Sequence, residues 1–474
     1  MDLHLDLAAA PGRSLRARAE HALREAVRGG RLAPGTRLPA TRALAQQLGV
    51  SRGVVVDAYA QLAAEGYLDT RRGGGTHVAH QPTPAHPATA RPARPAPPAI
   101  TRSPWTVEPL PRHDLRPALP AIDGFPRRAW LAAITRVLRT IPDRRLGYGD
   151  DRGEPELRAA LAASLARTRG VRAEPDQVLI TGGLRASLPL AWALLATRGA
   201  RRVGIEQPGW RRIADSLNAA GLIPVPLPVD QDGLDPHTLA GLDLDAVAVT
   251  PAHQFPTGAV LAPARRAALT AWARERGALI LEDDYDAEFR YDRHPIGSLQ
   301  GLAPDLVLYG GSTAKTLAPA LRLGWLVLPS SLTAMLHPDR PARAGTPPVL
   351  DQLALADLLE RGDVDRHLRR QRHRYRRRRD ALLEAVAQQL PDVEIRGAAA
   401  GLFAVLMLPE GLDEGAVVAA AAARGVALDG LGAGGRAGLV AGYANLPEAG
   451  AAAAVSALTA AIESLDEAPT TRPT

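Results

Sequence analysis

The chain has 474 residues, enough for about three globular units of ~150 residues or for one large α/β domain with a small head. Hydrophobic residues make up 46% of it, which excludes a chain disordered throughout, and the lack of cysteine excludes disulfides and thiolate metal sites. The formal net charge is +7. All but one of the 57 lysines and arginines are arginines, and the one lysine is Lys315.

The N-terminal ten residues contain two aspartates and no basic segment, so we do not expect a signal peptide. No apolar run approaches ~20 residues, so no membrane span is expected. The lack of cysteine suits a reducing compartment. We expect a cytoplasmic protein with no membrane partner and no bound metal.

The N-terminal region has the pattern of a winged helix-turn-helix. Three short helices are predicted, with apolar positions at helical spacing: one from Leu15 to Gly29-Gly30, one over 41–48, and one from a Ser51 N-cap to about Glu65. Ala45, Gly49 and Val55 have the spacing of the small residue, the turn glycine and the apolar contact of this motif. A hairpin follows, with glycines 73–75 at its tip, and is the predicted wing.

DNA binding is predicted for this head. The start of the third helix, with Ser51, Arg52 and Gly53, is placed to enter the major groove. Phosphate contacts are expected from Arg37, Arg42 and the wing, where Arg71 or Arg72 and Gly73 lie. Positions 1–78 contain eleven arginines and seven acidic residues, a net positive charge that suits nucleic acid. A small helical protein-interaction domain is the alternative, which the glycine-tipped hairpin disfavours.

Residues 80–105 are rich in proline and alanine and lack apolar periodicity, which predicts a solvated linker. From about residue 112 onward, short apolar runs alternate with helical patterns, as in QVLITGG (177–183), AVAVTPAH (246–253) and DLVLYGGS (305–312). Such runs are typical of buried parallel strands, so an α/β fold is predicted.

Lys315 follows the apolar strand DLVLYGG and the small-residue turn STA. A lysine that forms a Schiff base needs a fixed position and a lowered pKa, which partial burial and a nearby cation supply. Arg322, seven residues later, can bind a phosphate and supply that field. Lys315 is therefore predicted to hold pyridoxal 5'-phosphate; the alternative is a surface lysine.

An acidic cluster, ILEDDYDAEFRY (280–291), lies about thirty residues before this lysine. A carboxylate at the end of a buried strand can pair with a pyridinium nitrogen and keep it protonated. Asp283 is the predicted partner, with Asp284 as the alternate, and Tyr285 can donate to the ring oxygen. A solvated turn is the alternative reading of the cluster.

Two further segments are candidate cofactor contacts. Gly183, Leu184 and Arg185 connect a strand to a helix, where backbone N–H groups can cradle phosphate. Trp210 follows another strand and can stack on a pyridine ring, although a core tryptophan is an equal alternative.

The string GRLAPGTRLPATRALAQQLGVSRGVVVDAYAQLAAEGYLDTRRGGGTHVA resembles the GntR-family winged helix. The resemblance implies operator contacts by Arg42, by the Ser51-Arg52 pair and by the wing glycine region. Gly53 and Val54 stand where the family often has polar residues, so base readout from them is reduced.

The body resembles the fold type I aminotransferases, and more closely the MocR/GabR-type regulators. The segments that carry the match include LGYGDDRGEPELRAALA, VTPAHQFPTGAVLAPARR, EDDYDAEFRYDRHPIGSLQGL and GGSTAKTLAPALRLGWLVLP. The resemblance implies that Lys315 forms the Schiff base and Asp283 pairs with the ring nitrogen. It further implies that Tyr285 and Gln254 (or His253) lie near the ring hydroxyl, Trp210 stacks, and Ser312 and Arg322 hold phosphate.

Two departures from the family bear on activity. Leu184-Arg185 replaces the usual Ser-Gln pair, so a hydroxyl contact to phosphate is lost; the alternative is that the charge of Arg185 replaces it. The arginine by which transaminases clamp a substrate carboxylate is expected near Val440, and the nearest arginine is Arg436. Both departures disfavour ordinary amino-acid transamination.

The basic segment RHLRRQRHRYRRRRD (366–380) also has two interpretations. It is typical of a nucleic-acid patch, but its helical apolar stripe favours the long helix that links the two aminotransferase subdomains.

These features predict a winged helix over residues 10–80, a linker over 81–110, and an aminotransferase-like domain over 111–474 with a mostly parallel sheet and a smaller C-terminal α/β subdomain. The predicted function is a homodimeric transcription regulator that binds promoter DNA and senses pyridoxal phosphate, or a small amine or amino acid that reacts with it. The alternative is an active aminotransferase with an accessory DNA-binding head; transaminase activity is left open.

Overall fold

The computed structural model describes residues 14–71, 75–79, 111–291, 296–336, 346–432 and 436–466, with residues 3, 5, 7 and 10 near the N-terminus. The chain divides into two compact units, residues 1–106 and 107–474. Three predictions fall outside the described residues: the linker over 81–110, and the DNA contacts of Arg72 and Gly73. Arg71 lies in a strand, but its side chain is not described.

The first unit contains three helices and a hairpin: α1 (Leu15–Arg28), α2 (Thr41–Leu48), α3 (Arg52–Ala64), β1 (Leu68–Arg71) and β2 (Gly75–Val78). Gly49 ends α2 in the left-handed conformation, with φ of 63°, which favours glycine. Ala45 and Val55 are buried on the two sides of this turn, so the predicted helix-turn-helix spacing is confirmed. The strands β1 and β2 pair antiparallel, as expected for a wing.

The second unit begins with the large subdomain. Its elements are β3 (His113–Asp114), α4 (Arg127–Thr140), α5 (Pro155–Arg169), β4 (Val178–Thr181), α6 (Leu184–Thr197), β5 (Arg202–Gln207), α7 (Arg211–Ala219), β6 (Ile223–Asp230), β7 (Gly233–Leu234), β8 (Ala246–Val249), α8 (Pro263–Arg276), β9 (Leu279–Asp283), β10 (Val307–Ser312), β11 (Gly324–Val327), α9 (Ser330–Thr333) and α10 (Val349–Glu360). Eight strands form one sheet in the order β4-β11-β10-β9-β8-β5-β6-β7.

The central pairs of this sheet, from β10 to β6, are parallel, while β11 runs antiparallel to both β10 and β4. The strands β4, β8, β9 and β10 are buried along their whole length, because helices pack against both faces. The predicted α/β fold with a mostly parallel sheet is therefore confirmed.

The C-terminal subdomain follows the long helix α11 (Asp363–Gln389). Its remaining elements are β12 (Glu394–Arg396), β13 (Phe403–Met407), α12 (Glu414–Ala423), β14 (Val426–Ala427), β15 (Asp429–Gly430), β16 (Gly438–Gly442) and α13 (Ala451–Asp466). Four of its strands form an antiparallel sheet in the order β12-β13-β16-β15. This is the smaller subdomain that the sequence predicts.

The basic segment lies on α11, and several of its arginines hold the fold together. Arg372 donates to the carbonyl of Glu288 at 3.0 Å, and Arg376 and Arg378 donate to backbone carbonyls of Tyr291 and Ala444. These contacts favour the structural interpretation of the segment. None of the helices in the described parts of the chain combines the length and apolar character needed to cross a bilayer.

Candidate functional site

The predicted cofactor residues meet at one edge of the large sheet. Because β4, β9 and β10 are parallel to one another, their carboxyl ends lie on the same side. Asp283 ends β9 and Ser312 ends β10, and Thr181 ends β4 just before the predicted phosphate loop. In open α/β sheets this edge is where ligands bind.

Lys315 lies in the turn directly after β10, where its ammonium group donates to the carbonyl of Ala118. Burial lowers the pKa of Lys315, and the nearby Asp286 and Asp283 act in the opposite direction. A buried amine with a lowered pKa has the fixed position and the nucleophilic character predicted for it.

Asp283 and Asp284 have different surroundings. Asp284 accepts hydrogen bonds from Nε of Arg169 at 2.7 Å and from the hydroxyl of Tyr309 at 2.6 Å. The Oδ1 atom of Asp283 is buried and, among the described residues, has no hydrogen-bond partner. Burial and the neighbouring Asp284 raise the pKa of Asp283 to about 8. Asp283, rather than its alternate, is therefore the carboxyl that fits a protonated ring nitrogen.

Tyr285 lies beside His253 and Asp286. Its hydroxyl donates to the backbone carbonyl of His253 at 2.9 Å, and Nδ1 of His253 lies 3.0 Å from Oδ2 of Asp286. The Nε2 atom of His253 is buried without a partner among the described residues. His253 thus has a free nitrogen for a ligand.

Both ends of the amide of Gln254 are engaged within the protein. The amide nitrogen donates to the carbonyls of Pro208 at 2.9 Å and Phe255 at 2.7 Å, and the oxygen accepts from Thr257. Gln254 therefore holds its own loop together. His253 has a buried polar atom without a partner among the described residues, and a ring-oxygen contact by either residue stays a prediction.

Two glycines shape the predicted phosphate loop. Gly183 is the N-cap of α6, with φ of 91°, so the first N–H groups of the helix, including those of Leu184 and Arg185, have no intrahelical acceptor. Gly324, the first residue of β11, packs so closely that an added Cβ would lie 2.6 Å from Cα of Gly183. The loop and β11 therefore form a cradle with the right polarity for an anion.

Arg322 and Ser312 approach the same cradle. Ser312 pairs with Gly324 in the sheet, and Arg322 precedes Gly324 by two residues in a left-handed conformation, with φ of 53°. Ser312 is buried and Arg322 is exposed, which leaves the guanidinium free to turn toward a phosphate. The roles predicted for both residues stay predictions.

Trp210 is the N-cap of α7 and is half-buried. It lines a cavity of about 270 Å³ between α6 and α7, and Arg185 lines the same cavity. Stacking of Trp210 on a cofactor ring stays a prediction.

The segment around Val440, where an aminotransferase would have its carboxylate-clamping arginine, is apolar. Val440 is fully buried in β16 and belongs to a cluster with Phe403, against which Tyr285 packs. Arg436 is engaged elsewhere, since it donates to Glu394 at 2.8 Å and to the carbonyl of Leu408 at 3.1 Å. Neither residue is placed to clamp a carboxylate.

The predicted DNA contacts of the head lie at exposed positions. Arg37, Arg42, Ser51, Arg52 and Gly53 are all exposed, and the last two begin α3. Ser51 occupies the N-cap position as predicted, but within the described head its side chain makes no capping hydrogen bond. Its hydroxyl is therefore available to a ligand such as a DNA phosphate.

Comparisons with known proteins cover both units. Residues 15–78 match the family described as bacterial regulatory proteins, gntR family, and residues 122–429 match aminotransferase class I and II. The HTH-type pyridoxine biosynthesis transcriptional regulator PdxR of Corynebacterium glutamicum is 35% identical over 85% of each chain. The probable rhizopine catabolism regulatory protein MocR of Rhizobium meliloti is 34% identical over 85% of this chain and 84% of its own.

The chain belongs to the MocR-type transcriptional regulators. Both the GntR-type DNA-binding domain and the aminotransferase domain of these regulators are present, as the sequence predicts.

The aminotransferase domain of this MocR-type regulator is also similar to solved enzymes. LysN of Thermus thermophilus, an α-aminoadipate aminotransferase complexed with N-(5'-phosphopyridoxyl)-L-leucine, is 28% identical, with a TM-score of 0.66 over 74% of this chain and 92% of its own. The kynurenine aminotransferase of Pyrococcus horikoshii has a TM-score of 0.68 at 23% identity over 75% of this chain and 91% of its own, which shows the shared fold.

Arg52→Ala is expected to weaken binding of this MocR-type regulator to its own upstream DNA, because the start of α3 is the part predicted to enter the major groove. Loss of one such contact costs about 2 kcal/mol, a roughly 30-fold higher Kd at fixed salt. A gel shift at several salt concentrations measures this effect. Arg16→Ala is the matched control, since Arg16 pairs with Glu20 on α1 at 2.7 Å and the charge change is the same. Equal affinities of the two variants would refute the assignment of α3.

Gly324→Ala tests the cradle. The new Cβ would lie 2.6 Å from Cα of Gly183, so the phosphate loop must shift. We expect at least about tenfold weaker binding of pyridoxal phosphate, from the loss of one or two hydrogen bonds to a charged group. Gly310→Ala on the neighbouring strand is the control, because the nearest atoms to its new Cβ are 3.6 Å away. Absorbance titration compares the two, and equal affinities would contradict the cradle.

Proposed function

We propose that this regulator carries pyridoxal 5'-phosphate on Lys315, and that the cofactor, or a small amine or amino acid reacting with it, controls how the heads bind promoter DNA. The observation that carries the proposal is Oδ1 of Asp283, which is buried at the same sheet edge as Lys315 and has no hydrogen-bond partner in the described parts of the chain. Ionising a buried carboxyl whose pKa is raised to about 8 costs free energy unless a cation lies beside it. A pyridinium nitrogen is such a cation.

The described residues fit each part of this cofactor. The amine of Lys315 would hold its aldehyde carbon, Asp283 its ring nitrogen, and His253 its ring oxygen, which Tyr285 would also reach once its hydroxyl turns from the carbonyl of His253. The cradle of Gly183 and Gly324 would hold the phosphate together with Ser312 and Arg322. When bound, the cofactor supplies an electrophilic carbon and an electron-withdrawing ring. The role of Asp283 is then to keep the ring nitrogen protonated.

Sensing, rather than turnover of amino acids, agrees with the apolar surroundings of Val440. A carboxylate placed there would lose its hydration without an arginine to compensate, which is costly. The name of the Corynebacterium glutamicum relative, a regulator of pyridoxine biosynthesis, makes pyridoxal phosphate itself one candidate signal.

A homodimer is part of the proposal. Leu131 and Leu138 on α4, and Leu146 and Tyr148 just after it, are each more than half exposed. Large apolar side chains grouped in this way favour a surface that a second copy covers. A dimer would provide two heads for two half-sites of DNA.

Borohydride trapping tests the proposal. The full chain is incubated with pyridoxal phosphate, reduced and digested, and the modified peptide is located by mass spectrometry. We expect the label on the peptide that contains Lys315, which is the only lysine side chain in the chain. Label confined to the N-terminal amine, or no label, would contradict it.

A further inference from the structure

A second cavity lies behind the turn that carries Lys315. It has a volume of about 470 Å³, within the range of roughly 300–1,000 Å³ that small-molecule sites occupy. Its walls come from α5, α10, the first turns of α11, and the segment after β10, through Thr313, Thr316 and Leu317. The cavity is therefore separate from the residues proposed to hold pyridoxal phosphate, but it shares the Lys315 turn as a wall.

Polar atoms with unused hydrogen-bonding capacity belong to residues that line this cavity. Nη2 of Arg169, Nε1 of Trp325 and Oε2 of Glu288 are buried, and none has a hydrogen-bond partner among the described residues. The side chain of Arg169 is only 1% exposed, and its Nε already donates to Asp284. Buried donors without acceptors are costly, so a group that accepts from Arg169 and Trp325 would be stabilising.

The charge of the lining favours an anion. Four arginines line the cavity against two acidic residues, Glu288 and Asp365. Asp365 is paired with Arg167 at 2.7 Å. Burial and the neighbouring Asp284 raise the pKa of Glu288, so this carboxyl ionises less readily than a free one and opposes an anion less.

Most of the remaining lining is apolar, with Ser164 and three threonines as the polar exceptions. It includes leucines and a valine from three helices, together with the indole of Trp325: Leu161, Leu165, Leu355, Leu359, Val364 and Leu368. A ligand that fits must therefore combine one anionic head with an apolar body.

We propose that this cavity is a second ligand site, which takes a small monocarboxylate with an apolar chain. Its carboxylate accepts from Nη2 of Arg169 and Nε1 of Trp325, and its chain packs against the leucines of α5 and α10. A ligand there touches both sides of the Lys315 turn, at Thr313 and at Thr316. Nε2 of His367 lies 2.8 Å from the carbonyl of Thr316, so α11 is tied to the same turn.

Calorimetric titration of octanoate into the full chain tests the site. The titration uses both the wild type and Lys315→Ala, so its outcome does not depend on pyridoxal phosphate. We expect saturable binding to both proteins. Octan-1-ol, which has the same chain without the charge, is expected to bind at least about tenfold more weakly, because the charge-assisted hydrogen bonds are lost. No binding of octanoate to either protein, or equal affinities for the two ligands, would overturn the proposal.

Matched variants locate the binding. Ser164 is half-buried on α5 and lines the cavity, whereas Ala163 beside it is exposed and does not line it. Ser164→Trp is expected to abolish octanoate binding by filling the cavity, and Ala163→Trp to leave it unchanged. Trp325→Phe removes only the indole N–H with little change of shape and is expected to weaken binding several-fold, which tests the site without filling it. Wild-type affinity in both Ser164→Trp and Trp325→Phe would overturn the assignment.

Discussion

Replacing Lys315 with alanine or arginine is expected to abolish the Schiff-base absorbance band that the wild type gains on incubation with pyridoxal phosphate. Alanine removes the amine, and a guanidinium stays protonated and does not condense with aldehydes. Since Lys315 is the only lysine, no other side-chain amine replaces it. We expect the cofactor that borohydride fixes to a side chain to fall from one per chain to none.

Absorbance spectra after gel filtration measure the loss of the band. Lys315→Arg is the stricter variant, because it keeps a positive charge beside Asp283 and Asp286 while changing only the chemistry of the group. Circular dichroism is expected to show that both variants remain folded. A Schiff-base band in the Lys315→Arg protein would show that the cofactor is attached elsewhere.

Asp284→Asn is expected to destabilise the cofactor-free protein, whereas Asp283→Asn is not. Asp284 is 2% exposed and pairs with Arg169, itself 1% exposed. Asp284→Asn leaves this guanidinium without its counter-charge, which costs about 3–5 kcal/mol of the free energy of unfolding. Urea unfolding of the cofactor-free protein measures the loss.

Asp283→Asn is expected to cost the cofactor-free protein nothing. The pKa of Asp283 is raised to about 8 in the folded state, from 3.8 in the unfolded chain. Between these values folding requires the carboxyl to take up a proton, and the free-energy cost of this grows as pH rises from 3.8 to about 8. Asparagine removes that penalty, so the variant should gain stability over the wild type across this range. Binding of pyridoxal phosphate should weaken by about 2 kcal/mol, roughly 30-fold, through loss of a charge-assisted hydrogen bond. Equal losses of stability in the two variants would contradict these different roles.

Local patterns predicted much of this molecule. The helix over Thr41–Leu48 and the turn at Gly49 follow from apolar spacing and a left-handed glycine, and the buried strands follow from continuous apolar runs. The cofactor residues gather because the carboxyl ends of parallel strands share one edge. That rule places Asp283 and Ser312 without knowledge of any contact.

The remaining features depend on residues far apart in the chain. Lys315 donates to Ala118, 197 residues earlier, and Arg169 pairs with Asp284, 115 residues later. No periodicity or motif indicates such pairs, because they arise only when the helices pack on the sheet. The amide of Gln254 gives the opposite case: its neighbours in the chain engage it, and only the folded loop shows this.

If the cofactor controls how the heads bind DNA, a gel shift on the chain's own upstream DNA shows this most directly. Wild type and Lys315→Ala are compared at one salt concentration, with and without pyridoxal phosphate and a panel of small amines. We expect pyridoxal phosphate, alone or with an amine, to change the affinity or the mobility of the wild-type complex. Lys315→Ala should bind DNA but show no response. A response of equal size in both proteins, or no response in the wild type, would contradict such control.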